Sequence, residues 1–134
     1  MTRYVVDADV AIRLARDLVA IPPEDELVAP ALLRSQALSA LHHAAQSGEL
    51  TKDEAGRLLT RIRTMRIRLL GDRVLQSVAW KIADQLGWAD TFDAEYIAVT
   101  QLQADAFITL DDSLAASARG FVEVAPIKVL YREG

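Results

Sequence analysis

Arg3-Tyr4-Val5-Val6-Asp7, followed at once by Val10, Ala11, Leu14, Ala15 and Leu18 at helical spacing, decides the fold. A short apolar run that ends at an aspartate and turns into an amphipathic helix is the opening of a βαβ unit. The alternation then repeats along the chain. Glu26–Ala29 is a second short run, and Ala31–Gln46 follows it with Leu33, Ala37, Leu41 and Ala44 on one face. Thr51 and Glu54 form a capping box that opens a helix running to about Met65. Ile67–Leu70 is a third run; Val74–Leu86, stopped by Gly87, and Thr91–Gln103 are helical. Ala106–Leu110 is a fourth strand, Asp111–Ala118 a short helix, and Phe121–Val124 and Ile127–Tyr131 are the last strand candidates. Apolar strands alternating with helices imply a mostly parallel sheet with helices on both faces.

The length of 134 residues suits one domain spanning 1–134. Hydrophobic residues make up 51% and charged residues 25%, which excludes a disordered chain. No cysteine is present, so a disulfide scaffold, a thiolate zinc site and a cysteine nucleophile are all excluded. His42 and His43 are neighbours and cannot form an i, i+4 metal pair. The amino terminus has no long apolar h-region, and no run approaches a membrane span, so a cytoplasmic location and no membrane partner are expected. The net charge of −4 hides an uneven distribution. Arg57–Arg73 holds six arginines against one acid, Asp72, which leaves the rest of the chain strongly acidic.

In parallel α/β sheets the ligand crevice lies beyond the carboxyl ends of the strands. The sequence places acids there. Asp7 follows the first strand, Asp111 follows the fourth, and Asp93 lies in the first turn of the helix that leads into the fourth. Asp9 and Asp112 stand beside two of them. Carboxylates gathered in one crevice repel, and a hard divalent cation, Mg²⁺ or Mn²⁺, relieves that repulsion. Such an ion activates water and stabilises charge on a phosphate under attack. The plainer reading is capping, because aspartate is a preferred residue at helix starts.

Tyr4-Val5-Val6-Asp7-Ala8, Thr91-Phe92-Asp93-Ala94-Glu95-Tyr96-Ile97-Ala98 and Ile108-Thr109-Leu110-Asp111 resemble the motifs of PIN-domain proteins, above all the VapC toxins of bacterial toxin–antitoxin pairs. The resemblance spans essentially the whole chain. It implies an α/β/α sandwich around a central, mostly parallel five-stranded sheet. It also implies Mg²⁺- or Mn²⁺-dependent hydrolysis of RNA, a cognate VapB-type antitoxin and homodimerisation. By position, Asp7, Asp93 and Asp111 match the family's catalytic, metal-holding acids, and Thr109 its small hydroxyl residue. A fourth family acid, a glutamate, is expected in the second helix. There the chain reads Val28-Ala-Pro30-Ala-Leu-Leu-Arg-Ser-Gln36, so Gln36 stands in its place. Glutamine offers a carbonyl oxygen but no charge. Asp9, Gln36, Thr109 and Asp112 are therefore expected as auxiliary residues.

Two other readings compete with a ribonuclease. Gln36 also fits a catalytically weakened PIN-like module that binds RNA or an antitoxin without cutting. A phosphoacceptor domain would need an aspartate after the third strand; Asp72 stands there, but the matching lysine after the last strand is missing. For the basic segment, Arg61, Arg66 and Arg68 are the expected RNA-phosphate contacts, against a plainer reading as a solvated face.

Overall fold

A computed structural model of the chain describes residues 1–131; residues 132–134, the end of the expected 1–134 domain, lie outside the described residues. The order is β1 (Thr2–Val6), α1 (Ala8–Arg16), β2 (Asp25–Pro30), α2 (Leu33–Gln46), α3 (Lys52–Thr64), β3 (Ile67–Leu70), α4 (Arg73–Leu86), α5 (Phe92–Gln103), β4 (Ala106–Ile108) and α6 (Asp112–Ala118), with a 3₁₀ turn at Ile127–Leu130. The sheet runs β3-β2-β1-β4, and every neighbouring pair is parallel.

Successive residues of β1 and β4 point to opposite faces, yet Val5, Val6, Phe107 and Ile108 are all fully buried. Both faces of the sheet are therefore covered. Helix α5 packs on β1, β2 and β4 and pairs with α4, while α1, α2 and α3 pack on one another. Ala8, Ala15, Ala37, Leu41, Ala55, Leu58 and Ile62 form a smaller apolar cluster of their own among these three helices. Thr51 and Glu54 make both halves of the capping box, and Gly87 closes α4 in the left-handed conformation that glycine adopts without strain. Trp88 packs on the core, whereas Trp80 is exposed. No described helix is long and apolar enough to cross a membrane.

The sheet has four strands, not the expected five. The Phe121–Val124 run reaches β4 through a single parallel bridge between Val124 and Phe107. Phe107 donates to the Glu123 carbonyl, and Ala125 donates back to the Phe107 carbonyl. Pro126 follows and has no N–H to extend the ladder. The chain then tightens into the 3₁₀ turn over Ile127–Leu130, where Leu130 is fully buried. The apolar character read there as a second strand candidate belongs to a plug for the core.

Candidate active site

The strand order fixes where a ligand crevice opens. The chain moves outward from β1 to β2 to β3, then crosses to the other side of β1 for β4. The direction of winding reverses between β1 and β4, and there the loops leaving the two strands diverge. Val6 and Ile108 are partners across that junction. Asp7 leaves one strand end and Thr109 the other.

Asp7 is the N-cap of α1, and its Oδ1 accepts from the Val10 amide at 3.1 Å. Its Oδ2 accepts from the Thr109 hydroxyl. Asp111 is the N-cap of α6, with Oδ1 accepting from the Leu114 amide at 3.0 Å. The Asp111 amide donates to Thr109 Oγ1 at 3.2 Å. Capping and site roles thus do not compete. The cap takes one oxygen of each carboxylate and orients the other.

Asp93 lies in the first turn of α5, its residue exposed but its carboxyl partly withdrawn from water. Burial raises its pKa, and the charges of Asp111 and Asp90 add to the rise. Burial also raises Asp7; the hydrogen bonds from Thr109 and Val10 oppose this, and Asp9 and Asp93 push it further up. Asp9, Asp7, Asp93 and Asp111 therefore form an electrostatic chain across the β1/β4 junction. The structure brings these four together. It does not tie Asp112 to them: that residue is exposed in the first turn of α6.

Gln36, half-buried on α2, joins the group through Tyr96. The Tyr96 hydroxyl donates to Gln36 Oε1 at 2.6 Å. Burial holds this phenol far above its usual range, and the Asp7 and Asp93 charges add to it. Tyr96 is not among the residues the sequence singles out, though it stands three residues after Asp93, one helical turn along the same face.

Arg61, Arg66 and Arg68 lie elsewhere. Arg66 precedes β3, and a pocket at the amino-terminal end of the sheet is lined by Arg66 and Arg68 together with Met1, Asp25 and Glu26. Arg68 approaches Glu26 at 3.9 Å, and Arg61 donates to the Ala15 carbonyl at the end of α1. Asp72, the remnant of the phosphoacceptor reading, caps α4 by accepting from the Leu75 amide.

The crevice acids fit a divalent ion in charge. Among the described residues no lysine or arginine forms an ion pair with Asp7, Asp9, Asp93 or Asp111. Among the described residues no three His, Cys, Asp or Glu side chains already stand in a closed ligand set. The carboxylates are near enough to perturb one another.

No protein-family model and no curated protein matches the sequence. Solved structures do match. PAE2754 from Pyrobaculum aerophilum is 25% identical, with a TM-score of 0.77 over 96% of this chain and 92% of that one. VapBC2 from Rickettsia felis, bound to a DNA fragment from its promoter, superposes with a TM-score of 0.63 at 7% identity, covering 92% of this chain and 98% of that one. VapBC-1 from nontypeable Haemophilus influenzae gives 0.60 at 15% identity, covering 94% and 98%. At such identities the last two likenesses are likenesses of fold. The fold of this chain is the one shared with PAE2754 and the two VapBC structures.

Proposed function

We propose that the chain is a metal-dependent endoribonuclease, the toxin of a VapBC-type toxin–antitoxin pair acting in the cytoplasm. The observation that carries this reading is the set of acids without ion pairs at the β1/β4 junction, where burial raises both Asp7 and Asp93 and nearby aspartates raise each further. Asp7, Asp93 and Asp111 would hold Mg²⁺ or Mn²⁺, with Asp9, Gln36 and Asp112 around them. A bound ion there supplies a water of lowered pKa and stabilises charge on the phosphate. The chain's own part is orientation. Val10 and Thr109 fix the Asp7 carboxylate, and Leu114 fixes that of Asp111. No histidine or lysine at the junction is placed to act as a general base. The products expected from such hydrolysis are a 5′-phosphate and a 3′-hydroxyl.

A VapB-type antitoxin and a second copy of this chain are the proposed partners; two of the similar structures are VapBC proteins. An arginine from an antitoxin suits the crevice, because its fork pairs bidentately with carboxylate. Gln36 favours a second reading, a weakened module that binds RNA or antitoxin without cutting, because one expected negative charge is missing. Cleavage of single-stranded RNA with Mn²⁺, run beside Asp7→Asn, tests the first reading. Wild-type cleavage that the substitution leaves intact would refute it. Mn²⁺ binding without any cleavage would favour the second.

A further inference from the structure

Gln36 occupies a position where the resemblance expects negative charge, and its amide has a defined orientation. Oε1 accepts the Tyr96 hydroxyl at 2.6 Å. Tyr96 is 1% exposed and its ring stacks beside Phe107, so the hydroxyl is fixed by the core. A phenol has one proton to give. Carboxylates lie close by, yet the proton goes to the amide oxygen. The engaged half of Gln36 is therefore the oxygen. The other half, Nε2 with two N–H donors, has no hydrogen-bond partner among the described residues and is not sealed in the core.

We propose that Gln36 works in the crevice as a hydrogen-bond donor, its Nε2 holding a non-bridging oxygen of an RNA phosphate, and that Tyr96 is the positioning residue that turns the amide that way. An amide nitrogen has no lone pair to offer a cation, so this half of the side chain does not ligate metal. It suits an anion instead. A phosphate entering among carboxylates needs donors, and no arginine or lysine forms an ion pair with these acids among the described residues. A glutamate here would repel that phosphate and attract the ion. Glutamine reverses both effects, so its presence marks a change of role at this position. The inference rests on the nuclease reading, in that RNA must enter this crevice.

The test uses the full chain and two readouts that need no catalysis. Mn²⁺ affinity is measured by calorimetry without RNA, and affinity for a short single-stranded RNA is measured by fluorescence anisotropy in EDTA at low salt. Gln36→Met should leave Mn²⁺ affinity unchanged and weaken RNA about five- to tenfold, the loss of one charge-assisted hydrogen bond. Tyr96→Phe keeps the ring and should weaken RNA less, again without touching Mn²⁺. Combined with Gln36→Met it should add nothing, because the two act through one contact. Gln36→Glu should weaken RNA most and tighten Mn²⁺. Weaker Mn²⁺ binding in Gln36→Met would show that the second lone pair of Oε1 holds the ion, and would overturn the assignment. So would unchanged RNA affinity in that variant, or a wild type that binds no RNA in EDTA. Absence of Mn²⁺ binding in the wild type would instead sink the nuclease reading, whatever the amide does.

Discussion

The two ends of the parallel sheet carry acids under opposite conditions. At the amino-terminal end Glu26 sits between Arg3, at 3.5 Å, and Arg68, at 3.9 Å. Arg3 and Glu26 are register partners on β1 and β2, so the pair is a cross-strand contact of the sheet itself. At the carboxyl end Asp7, Asp93 and Asp111 face no arginine or lysine among the described residues, and Asp7 and Asp93 are raised. Glu26 is neutralised within the chain, whereas Asp7, Asp93 and Asp111 form no such ion pair among the described residues. The contrast sharpens the proposal that the second group meets a ligand, because acids paired within the fold have no charge left to offer one.

The largest expected effect comes from removing charge at each end in turn. Asp7→Asn should abolish measurable Mn²⁺ binding and slow RNA cleavage about a hundredfold or more, since metal activation is worth several kcal/mol. Glu26→Gln should leave both unchanged. Calorimetry and gel-resolved cleavage read the difference, and equal effects at the two ends would erase the distinction. Next in size, Gln36→Glu adds a carboxylate to the poor end and should tighten Mn²⁺ about tenfold, because affinity follows ligand charge.

A third test concerns stability. Asp7 and Asp93 are raised above their ordinary 3.8, so the folded state holds protons that the unfolded chain has released. Without metal, these groups make stability fall as pH rises from about 3.8 through their raised values, and the loss persists above that window. Asparagine still caps a helix. Asp7→Asn should therefore raise the metal-free Tm at pH 7 by a few degrees, about 1 kcal/mol for a domain of this size. Melting curves from pH 4 to 7, with and without Mg²⁺, check the sign; a lower Tm for Asp7→Asn at pH 7 would contradict it. The smallest effect is expected from replacing Arg61, Arg66 and Arg68 with Gln. With these residues at the amino-terminal end or bound to Ala15, the salt slope of RNA binding should change by less than about one. A markedly flatter slope would show that RNA reaches round to that end.

The sequence made the strands and helices legible because periodicity and punctuation agree. Ile67–Leu70 was bounded as observed, and Thr51 with Glu54 announced the start of α3. The fifth strand was misread because Phe121–Val124 and Ile127–Leu130 carry the apolar pattern of buried segments, which does not distinguish a strand from a core plug. Pro126 was the available signal. The acids were legible from strand ends and motif. Their pairing was not, since hydrogen bonds between residues such as Tyr96 and Gln36, 60 apart in sequence, depend on tertiary geometry. Where Arg61, Arg66 and Arg68 lie was not legible for a related reason. A charge run reads as one patch in sequence, but the turn from α3 into β3 sets Arg66 and Arg68 at the end of the sheet opposite Asp7, while Arg73 follows β3 at its other end.

Asp7 and Asp111 each spend one oxygen on a helix cap, and the other oxygen of Asp7 accepts from the Thr109 hydroxyl. Asparagine, serine and threonine satisfy the same cap. Natural selection on folding alone therefore has no hold on the two aspartates: a descendant carrying asparagine at both would still start α1 and α6 in the same places and would shed the repulsion between its acids. Such a descendant would keep its shape and, without metal, would melt higher than its parent.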